Sequence, residues 1–293
     1  MIAYNPKDWF TFLFRVHKAD TVRQLFPMIV AITAYATLIA WLELEYWHLS
    51  KDHVLRNLSS LHTLLGLVMS LLLVFRTNTA YDRWWEGRKL WGALVNNSRN
   101  LAIQIDALLA DDDKQNRKYF KKLIPLYAQV LKDHLRSEKI RLELDQDEHP
   151  ELKGVDTDKH VPNQVASLII RRVNRLHSEG KIKDAHLLNM KAELASFTDI
   201  CGACERIKNT PIPFSYSLFV KKFIFFYVMT LPFGFVLSMG FYVIPVCAFV
   251  FYVLASLELI GEEIEDPFGG DTNDLPLDKI SANIKKHVTE ILD

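Results

Sequence analysis

Cys201-Gly-Ala-Cys204 is the pair whose spacing most directly suggests chemistry, since two thiols separated by two residues serve redox exchange or form half of a zinc site. A structural zinc needs four ligands, and the remaining cysteine, Cys247, sits in an apolar run. No strand–helix context frames a thioredoxin-like site either. The pair therefore reads as small apolar residues packed on a helix. Ten histidines invite a metalloenzyme reading. A di-iron bundle wants two Glu-x-x-His motifs, and this chain carries one, Glu45…His48. It has neither a nucleophile elbow nor a phosphate-cradling glycine loop, so no catalytic residue is assigned and no enzyme is expected. The densest acidic cluster is Glu262, Glu263, Glu265, Asp266, Asp271 and Asp274, around Pro267-Phe268-Gly269-Gly270. Oxygen-rich loops with a tight glycine turn can hold calcium, but the spacing is not that of the helix–loop–helix site. A solvated or arginine-paired acidic face is the competing reading.

The elements that would position these residues follow from how charge is distributed. The 293-residue chain is 49% hydrophobic and 24% charged, with 35 basic residues balancing 35 acidic ones. A zero balance argues against a nucleic-acid binder working through a general basic field. Three cysteines are too few to staple a secreted fold, which favours a reducing compartment. The charges are unevenly spread. Residues 25–42, 57–75 and 223–257 carry none, and neither do residues 209–220. A membrane-crossing helix needs about 20 mostly apolar residues. The first two runs fit one crossing each. The third would be about 52 Å long as one helix, beyond the roughly 30 Å of a hydrocarbon core. It must fold back, and Pro232, Gly234 and Gly240 offer the breaks. Four crossings result.

Lysine and arginine placement sets the orientation. Residues 1–24 carry Lys7, Arg15, Lys18 and Arg23, and Arg76, Arg83, Arg88, Lys89 and Arg99 follow the second run; the loop 43–56 has only Lys51 and Arg56. The positive-inside bias puts both termini and the long middle segment in the cytoplasm. Residues 1–24 lack the apolar core of a signal peptide, so no cleavage is expected. Residues 86–208 read as helices. Leu90, Leu94, Leu101, Ile105 and Leu108 form one stripe at helical spacing, Tyr119, Leu123, Leu126 and Val130 a second, and Val165, Ile169, Val173 and Leu176 a third. Residues 144–163, with Pro150, Gly154 and Pro162, read as a surface loop, and Ala185–Ile207 is helical again.

Within the second run Leu67, Leu71 and Phe75 recur every four residues and share a face, with Gly66 and Ser70 beside them allowing close helix approach. In a monomer that face would be lipid-facing or core. Further along, Phe75-Arg76-Thr77-Asn78-Thr79-Ala80-Tyr81-Asp82-Arg83-Trp84-Trp85-Glu86 and Leu90-Trp91-Gly92 resemble the signature that follows the second transmembrane helix of bestrophins. Asn209-Thr210-Pro211-Ile212-Pro213-Phe214 resembles a second, and Ile264-Glu265-Asp266-Pro267-Phe268-Gly269 together with Asn273-Asp274-Leu275-Pro276-Leu277-Asp278 a third, in the same order and around the same crossings. The pieces are closer to the bacterial branch than to the animal one.

The resemblance implies an all-α membrane protein that assembles as a homopentamer around one central pore. It places apolar neck rings at Leu67, Leu71 and Phe75 and a second constriction, the cytoplasmic aperture, at Ile212. Five copies of such rings make a dry hydrophobic gate, which has no charge to choose ions by. In animal members the acidic loop is a calcium clasp; here Asp271 and Asp274 fall on acidic positions while Gly270, Thr272 and Asn273 replace others. The expected layout is an N-terminal cytoplasmic segment (1–24), transmembrane helices 1 and 2 with the neck (25–85), a cytoplasmic helical region (86–208), transmembrane helices 3 and 4 (209–260), and a C-terminal cytoplasmic segment with the acidic loop (261–293). The partners are further copies of the chain, small monovalent ions and the bilayer of a bacterial inner membrane, with no nucleic acid and no cofactor other than calcium. Family grounds favour anions such as chloride; a sodium-type cation channel and a membrane-anchored scaffold that conducts nothing are the alternatives.

Overall fold

A computed structural model describes residues 21–49, 53–137 and 154–293, and among these the regular structure is helical, with no strand. The chain divides into two compact units, one of residues up to Arg83 with Pro211–Asp266, the other of Trp84–Thr210 with Pro267–Asp293. One helix of 51 residues, Leu58–Leu108, contributes its first half to the former and its second half to the latter.

The first unit holds helices α1 (Thr21–Trp41), the beginning of α2 (Leu58–Leu108), α6 (Phe214–Met239) and α7 (Val243–Glu265). The helical stretches that contain the uncharged runs are long and apolar enough to cross a membrane: Thr21–Tyr46, Leu58–Leu108 and Phe214–Glu265. The last is a hairpin. Val236 of α6 and Val243 of α7 share one cluster, while Val220 and Phe251, from the far parts of the same helices, share another, so the two helices pack antiparallel.

The break expected at Pro232 and Gly234 is not there, because α6 runs through both residues. Apolar surroundings tolerate a proline when neighbouring helices cover the freed carbonyl. A Cβ on Gly234 would lie 3.1 Å from the Ser59 amide nitrogen and 3.2 Å from the Leu58 carbonyl carbon, so this glycine serves close approach rather than a turn. The reversal falls at Gly240, whose φ of 60° and ψ of −141° suit glycine alone. Buried His62 of α2 bonds the Leu58 carbonyl and the Thr230 hydroxyl of α6, at 2.8 and 3.0 Å. The outside of the unit is apolar: Phe26, Met28, Leu38, Phe225, Phe226 and Phe249 are all exposed. Trp41, Tyr46 and Trp47 close the far end of α1, and Phe241 and Tyr242 line the α6–α7 turn, as side chains that favour a membrane–water boundary do.

The second unit packs the rest of α2 with α3 (Lys114–Arg136), α4 (Val161–Ser178), α5 (Asp184–Asn209) and α8 (Leu277–Ile291) around one core. The three stripes read from the sequence all point into it, with Leu90 and Leu108 at its margin. Asp113 caps α3 by accepting the Asn116 amide, and Ser137 ends it in the left-handed region at φ 55°. The loop expected over 144–163 differs at its end. Pro162 opens α4, where a missing amide hydrogen costs nothing, and residues 144–153 lie outside the described part.

Candidate pore lining and charged clamp

Helix α2 has two unlike sides in the first unit. Met69, Leu73, Arg76 and Ala80 are buried, the first two against Val220, Ile224 and Val228 of α6 and Phe251 of α7. Two residues further along is about 200° around the helix. Leu67, Leu71 and Phe75 therefore project from the opposite side, and they are 62, 53 and 64% exposed. Gly66 does admit a neighbour: Tyr227 of α6 places its hydroxyl where a Cβ would be only 2.9 Å away. One copy of this face lines nothing. Several copies turned toward a shared axis would enclose an apolar tube.

Immediately after Phe75 the helix carries a buried cation. Arg76 is 1% exposed, and its Nη2 lies 2.7 Å from Glu265 Oε2 and its Nε 3.5 Å from Glu258 Oε2, both on α7. A guanidinium withdrawn from water needs such partners. Glu265 reaches further. Its Oε1 accepts the Ile212 N–H at 2.7 Å, and its main-chain carbonyl accepts the Arg83 Nε–H at 2.9 Å. Ile212 stands between Pro211 and Pro213, which have no amide hydrogen, so it offers the one donor of that tripeptide. Glu265 thus ties the residue after Phe75 to the backbone of Ile212. The sequence expectations named Leu67, Leu71, Phe75 and Ile212 and did not include this clamp. Its signals were Arg76 at the end of one uncharged run and Glu258 at the end of another.

The other acids separate by partner. Glu262 pairs with Lys221 at 2.8 Å and Glu263 accepts from Gln24 at 3.1 Å. In the second unit, Asp274 is buried and its Oδ2 accepts the Asp271 N–H at 2.6 Å. Gly269 packs on it so closely that a Cβ would sit 2.8 Å from that oxygen. The loop is held further by Leu275 N–H to the Pro267 carbonyl, Trp84 Nε1–H to the Asn273 carbonyl and Arg136 Nε–H to the Gly269 carbonyl, at 2.9, 3.0 and 3.2 Å. Phe268 is buried against Gly87, whose Cβ would meet its ring at 3.1 Å. Calcium asks for six to eight oxygens. In this loop Asp271 is exposed, Asp274 Oδ2 already faces an N–H donor and Asp274 Oδ1 is buried, and no step is routed through the ion.

Cys201 and Cys204 are buried in the second unit's core. Burial, with Glu205 nearby, pushes the Cys201 thiol up to about 12. Glu45 and His48 are exposed past the end of α1. Three residues without any sequence signal do converge: His134, His160 and Glu205.

An all-helical chain with an apolar, membrane-length unit and a polar helical unit is, as a class, a helical membrane protein. The chain belongs to the bacterial and fungal bestrophin family, whose description, Bacterial/Fungal Bestrophin protein, matches residues 1–290. It is 38% identical over 233 residues to a voltage-dependent anion channel-forming protein of Nostoc sp., covering 77% of this chain and 75% of that one. A protein of the same designation from Mesorhizobium japonicum is 31% identical over 288 residues, covering 98% of this chain and 91% of the relative. A bestrophin homolog from Klebsiella pneumoniae shares the fold with a TM-score of 0.81 at 23% identity, covering 92% of this chain and all of that one.

Proposed function

We propose that this chain is a channel subunit, not an enzyme, and that five copies surround one pore for small monovalent anions in a bacterial inner membrane. The family assignment and the designations of the Nostoc and Mesorhizobium relatives support an anion channel. The observation that carries the reading is the open apolar side of α2, with Leu67, Leu71 and Phe75 on the face turned away from α6 and α7. Each subunit crosses four times, by α1, the first half of α2, α6 and α7. Leu67, Leu71 and Phe75 form the neck, and Ile212 narrows the cytoplasmic end. An uncharged neck conducts when wetted and leaves ion choice to width, aromatic edges and flanking charge. The basic residues after the neck, Arg83, Arg88 and Lys89, orient that end toward the cytoplasm, where both termini also lie.

The test is the reversal potential of purified protein in a planar bilayer under a potassium chloride gradient. A reversal near the chloride equilibrium potential is expected. A reversal near the potassium potential would reassign the channel to cations, and the absence of any current would favour a membrane-anchored scaffold.

A further inference from the structure

The imidazoles of His134 and His160 point at one carboxylate oxygen from two different helices. Each Nε2 lies 2.7 Å from Glu205 Oε1, and the two rings are 4.6 Å apart between centroids. His134 is in the last turn of α3, His160 is the N-cap of α4, and Glu205 is in the last turns of α5. All three belong to the second unit, and their ligating atoms lie within 4.8 Å of one another. Each side chain is only partly exposed, which leaves one side open to water.

We propose that His134, His160 and Glu205 form a divalent transition-metal site, with zinc the ion whose chemistry fits best. Two imidazole nitrogens and one carboxylate oxygen are the donor set of a three-ligand zinc site, whose fourth position is taken by water. A tetrahedral ion with bonds near 2.1 Å holds its donors about 3.4 Å apart, so Glu205 Oε1 would withdraw by less than about 1 Å from each Nε2 while the two nitrogens, within 4.8 Å of one another, settle to the same spacing. The C-terminal ends of α3 and α5 bring partial negative charge here, and the N-terminus of α4, capped by His160, brings partial positive charge, so the site rests on its donor set rather than on helix dipoles. A neighbouring ammonium is already engaged: Lys208 donates to the carbonyls of His134 and Leu135 and to the Ser137 hydroxyl. Burial raises the Glu205 carboxyl, but hydrogen bonds from His160 and His134 outweigh it and hold the group below the ordinary glutamate range, ready to ligate as carboxylate.

The site has one internal cost. His160 Nδ1 accepts the Asn163 N–H at 3.2 Å, and a metal on Nε2 moves the ring proton to Nδ1. Giving up that cap weakens binding by about fivefold. In exchange the ion would staple α3, the start of α4 and α5 at a single point, in place of the two imidazole–carboxylate hydrogen bonds and alongside the Lys208 bonds to the end of α3.

The experiment uses the full chain in detergent, tag removed, stripped with chelator and titrated with zinc and with cobalt. One zinc per subunit is expected, together with the strong visible absorption of four-coordinate cobalt and a zinc-dependent rise in melting temperature. Outer-shell partners alone are worth about 10–100-fold, so Glu205→Gln, which keeps the acceptor for both imidazoles, should weaken binding by more than about tenfold. His177→Ala, at a partly exposed histidine paired with Asp184, should leave stoichiometry and affinity unchanged. The proposal is overturned if the wild-type chain binds no zinc, if its cobalt spectrum shows only the weak bands of a six-coordinate ion, or if Glu205→Gln binds as the wild type does.

Discussion

Replacing Glu265 separates the two jobs its carboxylate performs. Glu265→Gln keeps an oxygen for the Ile212 N–H but removes the charge facing Arg76 at 2.7 Å. Arg76 is 1% exposed, and stranding one member of a buried pair costs about 3–5 kcal/mol. Glu258 at 3.5 Å remains as a second partner and recovers part of this, leaving about 2 kcal/mol per subunit. At about 2–4 °C per kcal/mol, the melting temperature should fall by about 4–8 °C. Glu265→Ala also orphans the Ile212 amide, adding about 1–3 kcal/mol. The assay is thermal unfolding of both variants in detergent, paired with single-channel recording in bilayers. Glu265→Ala should alter unitary current through the freed Ile212 segment, whereas Glu265→Gln should leave it near the wild-type level. If both variants melted within a degree of the wild type, or if the two gave identical currents, the clamp would have no mechanical role.

Leu71→Ala should raise unitary conductance or open probability in the same recordings, because it widens and wets the middle apolar ring; no change in either would remove Leu71 from the neck. Lys132 and then Arg136 hold the Asp278 carboxyl below its usual 3.8 by hydrogen bonding, against a burial effect that raises it. A depressed carboxyl contributes stability that is complete above the unfolded value and is lost as pH falls through the folded one. Asp278→Asn should therefore lower stability near neutrality, where the carboxylate's contribution is complete, and flatten the further loss below about pH 3.8, read by denaturant titration across pH. Buried Cys201, its thiol pushed up to about 12, should resist thiol reagents at pH 8 and react only after denaturation.

Helical periodicity made most of the second unit's core readable. Leu94, Leu101 and Ile105, then Val165, Ile169, Val173 and Leu176, are buried because a stripe at this spacing has only one way to leave water. Uncharged runs revealed the apolar helices for the same reason. Punctuation was less transparent: Pro232 and Gly234 look like breaks in a residue-by-residue reading, yet Gly234 is a packing contact against Leu58 and Ser59, which only the folded chain brings near. Which side chains pair across the fold left no local trace. Arg76 and Glu265 are 189 positions apart in the chain, and His134, His160 and Glu205 come from three separate helices. Leu67, Leu71 and Phe75 were found by spacing, but their assignment to a neck came from the resemblance, since spacing alone suits a lipid-facing side equally.

The Pro211-Ile212-Pro213 strap has a simple mechanical corollary. Its one N–H goes to a glutamate oxygen, while the Pro213 carbonyl accepts the Tyr216 and Ser217 N–H groups, so the strap is anchored where α6 begins and closed further up by a single bond. Such a strap behaves as a latch rather than a spring, and whatever competes for one glutamate oxygen decides whether it is shut.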